Sequence, residues 1–97
     1  MPGLVFTGSA QADLLEAWLY IAEDSLAAAD RVLEAIERDA GVLLDQPLTG
    51  RARPELGQQV RSWPTSTPYI LYYVSDESDI AVLRVLHHAR DVRLAAF

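Results

Sequence analysis

The sequence contains no cysteine, which excludes a disulfide framework and a thiolate metal site. It also contains no lysine, so all eight basic residues are arginine. The longest apolar run, Tyr69 to Val74, has six residues, whereas a membrane span needs about 20. The stretch from Met1 to Leu4 carries neither a basic segment nor a long apolar one, so we expect no signal peptide. Together these absences predict a cytoplasmic protein without membrane contacts.

The length and charge of the chain limit the function further. Its 97 residues suit a single domain over residues 1–97. The net charge of −6 argues against blanket nucleic-acid binding through counterion release. We also expect no direct sequence-specific DNA binding by this chain. Residues 1–50 hold nine acidic residues and two arginines, whereas residues 51–97 hold five acidic residues and six arginines. The second half therefore supplies the candidate contacts to carboxylates or phosphates.

The first half of the chain predicts a strand and two helices. Leu4 to Thr7 reads as a short strand, after which Thr7, Gly8 or Ser9 can cap a helix. That helix runs from Ala10 to Asp24, and a second helix capped by Ser25 ends near Asp45. Their predicted apolar stripes are Leu14, Leu15, Trp18, Leu19 and Ala22 on the first, and Ala29, Val32, Leu33, Ile36, Ala40, Leu43 and Leu44 on the second. The very short linker predicts an antiparallel helical hairpin.

The second half predicts a loop and three strands. The loop spans Pro47 to Gly57. The three strands span Val60 to Trp63, Tyr69 to Ser75 and Ile80 to Leu86, and the polar turn Asp76 to Asp79 joins the last two. The tail from Val92 to Phe97 is predicted to be a short helical turn or frayed. The predicted fold class is therefore α+β with the order β-α-α-β-β-β. An antiparallel sheet carries the helical hairpin on one face.

The last strand places an arginine in an apolar row. Alternation predicts Leu83 and Val85 on one face and Val82, Arg84 and Leu86 on the other. We expect Arg84 to converge with the other arginines of the sheet and loop on the face away from the helices. The alternative is that Arg84 pairs with an acid, such as Glu55 or Asp91.

Several stretches in this order resemble one known family. They are Phe6, Ala12-Asp13-Leu14, Trp18, Tyr20-Ile21-Ala22, Ala29-Asp30-Arg31, Pro47-Leu48-Thr49-Gly50-Arg51, Val60-Arg61-Ser62, Tyr72-Tyr73, and Arg84-Val85-Leu86-His87 followed by Arg90-Asp91. The chain resembles the ParE branch of the RelE/ParE toxin superfamily over nearly its whole length. The Pro-x-x-Gly-Arg loop and the closing Arg-Val-Leu-His motif are its most specific parts.

The resemblance implies the toxin of a type II toxin–antitoxin system, also called a plasmid stabilisation protein. Toxins of the ParE type inhibit DNA gyrase, arrest growth, and are held inactive in a hetero-oligomer with a ParD-like antitoxin. Relatives of the RelE type are instead ribosome-dependent mRNA endoribonucleases. A third alternative is a non-toxic member that acts only in an antitoxin complex.

The candidate site residues follow from these alternatives. Antitoxin or target binding is assigned to Arg51, Arg53, Arg61, Arg84, Arg90 and Trp63. We expect no catalytic residue in a gyrase inhibitor, whereas a nuclease would use His87, His88, Arg61 and Arg84, because RNA cleavage needs a base, an acid and cations beside the phosphate. The sequence lacks the lysines and the late tyrosine of the best-known RelE pattern. It predicts neither a metal site nor a cofactor.

Ordinary structural roles compete with each of these assignments. His87 is a candidate for a hydrogen-bonded structural histidine, and Arg90 for a local ion pair with Asp91. Arg51 and Arg53 are also compatible with solvated loop positions. Trp18 is expected in the core beneath the helices.

Overall fold

The computed structural model describes residues 3–77 and 79–97 of the chain. The elements in chain order are β1 (Leu4–Phe6), α1 (Gly8–Ala22), α2 (Leu26–Asp45), β2 (Arg51–Ala52), β3 (Arg61–Pro64), β4 (Tyr69–Asp76) and β5 (Asp79–His87), with short 3-10 helices at Pro54–Leu56 and Val92–Leu94. Met1, Pro2 and Ser78 lie outside the described residues, and with them part of the predicted polar turn. None of the described helices is long and apolar enough to cross a membrane.

The strands form one five-stranded sheet in the order β1-β5-β4-β3-β2. This confirms the α+β class with a helical hairpin, and the neighbours from β2 to β5 are antiparallel as predicted. Two details differ from the prediction. Strand β1 pairs with β5 in a parallel orientation. This orientation is possible because the two strands are far apart in the chain and no hairpin joins them. The predicted loop after Pro47 also contains strand β2, whose two residues are too few to show a periodic pattern in the sequence.

Both helices begin where polar side chains cap them. The Thr7 hydroxyl accepts a hydrogen bond from the Ala10 amide at 3.2 Å, and the Ser25 hydroxyl accepts one from the Ala28 amide at 3.1 Å. Such caps satisfy amides that have no partner within the helix. Thr7 is one of the three caps predicted for the first helix, and Ser25 is the cap predicted for the second.

The main core lies between the helical hairpin and one face of the sheet. The second helix contributes Ala29, Ile36, Ala40 and Leu43 to the buried residues, as its predicted stripe required. The stripe predicted for α1 was right for Leu14, which packs against the core, but the fully buried residues are Ala10, Asp13 and Ala17, which the prediction had left out. Leu15 and Leu19 are 59% and 54% exposed. Small alanines allow α1 to approach the sheet closely, and the buried carboxylate has a partner there.

A β-bulge changes which residues of β5 face the helices. Tyr72 pairs with Arg84 and Tyr73 pairs with Val82, so Leu83 is an extra residue in β5. As a result Val82 and Val85 both belong to the core under the helices. The simple alternation predicted for this strand was therefore wrong. Tyr72 and Arg84 pair with each other on the side of the sheet that does not carry the main core, which we call the outer face, and from there the Arg84 side chain reaches Asp13 of α1.

Candidate functional site

The Arg84 side chain makes the most buried ion pair of the described residues. Its Nε and Nη2 donate to the two carboxylate oxygens of Asp13 at 2.7 and 2.9 Å, and the Asp13 side chain is only 6% exposed. Asp13 also accepts a hydrogen bond from the Val85 amide at 2.9 Å. The remaining nitrogen, Nη1, donates to the Ala96 carbonyl at 2.8 Å. The predicted partners Asp91 and Glu55 were therefore wrong, and Arg84 joins α1 to the C-terminal tail.

The hydrogen bond to Asp13 is the main cause that raises the pKa of Arg84, and burial opposes it. A guanidinium with this pair of bonds is held in a fixed plane. Each of its three nitrogens already donates to a protein oxygen. Arg84 is consequently a structural cation in this conformation.

The Pro-x-x-Gly-Arg loop is fastened to the core by one tyrosine. The Tyr73 hydroxyl donates to the Pro47 carbonyl at 2.8 Å and accepts from the Gly50 amide at 2.9 Å. Burial is the main cause that raises the pKa of Tyr73. A Cβ atom at Gly50 would lie 2.5 Å from the Tyr73 oxygen, so the close approach requires glycine. The spacing in the motif thus reflects a loop wrapped around a buried hydroxyl.

Arg61 stabilises the same loop from the helix side of the sheet. Its Nη1 donates to the Gly50 carbonyl at 2.7 Å and to the Leu48 carbonyl at 3.3 Å. Arg61 pairs with Tyr73 in the sheet, and Tyr73 belongs to the core under the helices. The predicted convergence of Arg61 with the other arginines on the outer face was therefore wrong.

The outer face holds Arg53 beside the Tyr72 ring. Arg51 belongs to the same face, because it pairs with Ser62 and Ser62 pairs with Tyr72. The Arg53 Nε donates to Glu55 at 2.8 Å, and its guanidinium carbon lies 5.9 Å from the centre of the Tyr72 ring. The hydrogen bond to Glu55 is the main cause that raises the pKa of Arg53. Arg51 is exposed and, among the described residues, forms no ion pair. Phe97 from the tail packs edge-on against Tyr72 at 5.4 Å, so the tail covers part of this face.

The two histidines lie together at the end of β5. Because the strand ends at His87, the rings do not point to opposite sides as strand alternation would require. They stack with their centres 4.5 Å apart. His87 also meets the Tyr69 ring edge-on at 5.4 Å, and its Nδ1 accepts from the Ala89 amide at 3.1 Å. Both side chains are exposed.

Three other predicted side chains have different surroundings from those expected. Asp91 pairs with Arg93 at 2.9 Å and not with Arg90, which forms no ion pair within the described part of the chain. Trp18 is only half-buried, and its Nε1 donates to Asp30 of α2 at 2.8 Å. Trp63 is half-buried and packs against the core. Its proposed role in binding stays a prediction.

A cavity of about 330 Å³ lies between α1 and the ends of β4 and β5. We call it the α1–β5 cavity. Its lining is Asp13, Glu16, Ala17, Tyr20, Tyr69, Val85, Leu86, His87 and Arg90. Of this set, only His87 and Arg90 were candidate site residues in the sequence, because the residues of α1 and β4 are far from them in the chain and no local motif links them. The described residues offer no cluster of three or more His, Asp or Glu side chains suited to a metal ion.

Comparison with known proteins identifies the family. A family model for the ParE toxin of the type II toxin–antitoxin system parDE matches residues 4–92. The chain is similar to a solved structure of the chromosomal ParDE TA system from P. aeruginosa, with 22% sequence identity, a TM-score of 0.74, and coverage of 90% of this chain and 96% of that one. A comparison with curated proteins finds no match. Because the family model covers nearly the whole chain, the protein belongs to the ParE toxin family of type II toxin–antitoxin systems.

Proposed function

We propose that this chain inhibits DNA gyrase by binding to it and that a cognate ParD-like antitoxin neutralises it. Membership of the ParE toxin family supports the proposal. The main structural support is that Arg84 donates hydrogen bonds to Asp13 and to the Ala96 carbonyl, so that each of the three guanidinium nitrogens already has an acceptor. A toxin that acts by contact needs no free cation beside a scissile phosphate.

The same geometry disfavours the endoribonuclease alternative. Cleavage of RNA would need cations placed where charge develops on the phosphate. Arg84 donates to a buried carboxylate, and Arg61 donates to the Gly50 and Leu48 carbonyls. His87 and His88 have no carboxylate hydrogen-bond partner among the described residues that would orient them as an acid and a base.

The helical hairpin supports the antitoxin half of the proposal. Leu15, Leu19, Tyr20 and Leu26 are all more than half exposed, at 59%, 54%, 72% and 62%. Exposed apolar side chains grouped on a helical surface are typical of a protein-binding surface. We therefore place the antitoxin on this hairpin, in a hetero-oligomer with the toxin.

The test compares two activities of the purified chain. Supercoiling by gyrase is measured beside translation of an mRNA in a cell-free system, each with and without the partner antitoxin. The expected result is loss of supercoiling, its recovery on addition of antitoxin, and unchanged translation. Intact supercoiling together with cleaved mRNA would overturn the proposal.

A further inference from the structure

The α1–β5 cavity has the surroundings of a cation-binding site. The aromatic rings of Tyr20, Tyr69 and His87 line it together with the apolar side chains of Ala17 and Val85. Its volume of about 330 Å³ is at the low end of the range for ligand sites, which suits one long side chain better than a larger ligand.

One carboxylate in the lining of this cavity has no ion-pair partner among the described residues. Asp13 is neutralised by Arg84, but Glu16 is exposed and forms no ion pair with a residue that the structure describes. Arg90 is the one other full charge of the lining and likewise has no ion-pair partner in the described ranges. Glu16 and Arg90 therefore decide which sign of charge the cavity favours.

The electrostatic surroundings favour Glu16. Burial is the main cause that raises the pKa of Tyr69, and the charges of Tyr20 and Glu16 raise it further. Glu16 also adds to the rise in the pKa of Arg84, after the larger contribution of Asp13. The helix wall of the cavity is acidic, because Asp13 and Glu16 both lie on α1, whereas Arg90 follows the end of β5.

We infer that the α1–β5 cavity binds an arginine or lysine side chain of an antitoxin segment, with Glu16 as the counter-charge and Tyr20 and Tyr69 as aromatic walls. The identity of the partner rests on the proposed function. A cation over an aromatic face gains electrostatic attraction, and a planar guanidinium also stacks on the ring. Residues 1–50, which build the hairpin, hold nine acidic residues against two arginines, so the charge of this surface complements a basic segment.

The first experiment uses a small probe and the full chain. Binding of N-acetyl-arginine methylamide is followed by NMR through the amide signals of Ala17, Val85 and His87. The neutral isostere N-acetyl-citrulline methylamide is the matched control. We expect saturable shifts with arginine, about tenfold weaker binding for citrulline and for Glu16→Gln, and no change for Glu77→Gln, an exposed carboxylate of the turn between β4 and β5. Equal binding of both probes, or of Glu16→Gln and the unchanged chain, would overturn the inference.

The second experiment separates this inference from the proposed function. The affinity of a cognate antitoxin is measured for the unchanged protein, for Glu16→Gln and for Glu77→Gln over a series of salt concentrations. We expect Glu16→Gln alone to weaken the complex by about tenfold and to reduce its salt dependence. Tight binding that Glu16→Gln does not alter overturns the cation site and leaves the proposed partner intact. Absence of any antitoxin binding overturns the proposed partner. The experiment with the arginine probe then tests by itself whether the cavity binds a cation.

Discussion

Asp13 of α1 and Arg84 of β5 are 71 positions apart in the sequence and form a buried two-point ion pair. The same carboxylate accepts the Val85 amide, and the same guanidinium reaches the Ala96 carbonyl. The bulge at Leu83 lies beside this pair. One helix, the last strand and the tail are therefore held in place by two side chains.

Replacing Asp13 should destabilise the fold strongly. The variant Asp13→Ala leaves the Arg84 cation buried without its partner, and loss of one member of a buried pair costs about 3–5 kcal/mol. The measurement is the midpoint of urea unfolding. Glu55→Ala, which removes the exposed partner of Arg53, is the control and should leave the midpoint nearly unchanged. Equal midpoints for the two variants would contradict a structural role for the buried pair.

Removing the Tyr73 hydroxyl should loosen the Pro-x-x-Gly-Arg loop. In Tyr73→Phe the Pro47 carbonyl and the Gly50 amide both lose their partner, at a cost of about 1–3 kcal/mol. Amide hydrogen exchange at Gly50 should become faster, which locates the effect. Gly50→Ala should lower the free energy of unfolding more than Tyr73→Phe does, because the added Cβ would lie 2.5 Å from the Tyr73 oxygen and 2.9 Å from the Ser62 carbonyl oxygen. A Tyr73→Phe variant with unchanged exchange at Gly50 would refute this account of the motif.

The contact between Asp39 and Ser66 predicts a pH dependence at low pH. The Asp39 carboxylate accepts from the Ser66 amide and hydroxyl, both at 2.7 Å. The amide hydrogen bond is the main cause that lowers the pKa of Asp39 from its ordinary 3.8. A lowered pKa in the folded state stabilises the protein above the unfolded value, and this contribution is lost as the pH falls through the folded value.

The Ser66 amide proton reports this titration directly. Its NMR shift should change with a midpoint below 3.8. In Ser66→Ala, which keeps the amide but removes the hydroxyl, the midpoint at residue 66 should move partly back towards the ordinary value. A midpoint at or above 3.8 in the unchanged chain would disagree with the hydrogen bonds described.

Arg51 is the clean test of a role for the outer-face arginines. Charge reversal at Arg84 or Arg61 would disturb folding, whereas Arg51 is exposed and forms no ion pair within residues 3–77 and 79–97. We expect Arg51→Glu to leave the unfolding midpoint unchanged and to weaken the antitoxin complex by about fivefold. Arg51→Gln, which removes the charge without reversing it, is the matched variant and should weaken the complex less. If both variants bind the antitoxin as the unchanged chain does, Arg51 has no role in that interface.

The features predicted well from the sequence are those with local causes. Thr7 and Ser25 cap their helices through amides three residues away. The helical period of α2 likewise places Ile36 and Leu43 in the core. The Pro-x-x-Gly-Arg motif was found as a pattern, but its reason is Tyr73, 23 positions after Gly50.

The errors have non-local causes. An aspartate on a helix is expected in solvent, and only a partner 71 positions away makes Asp13 a buried residue. The bulge at Leu83 is set by pairing with β4, so strand alternation alone wrongly put Arg84 on the same face as Val82. The α1–β5 cavity combines Glu16 and Tyr20 with Tyr69 and His87, which no motif connects.

The most direct test of the central claim, inhibition by binding without covalent chemistry, uses the variant His87→Ala/His88→Ala. Its inhibition of gyrase supercoiling is measured beside its effect on mRNA in a cell-free translation system. The account predicts that the variant inhibits gyrase as strongly as the unchanged chain and that neither protein cleaves mRNA. Cleavage of mRNA by the unchanged chain, lost in the double variant, with gyrase unaffected by both, would contradict it.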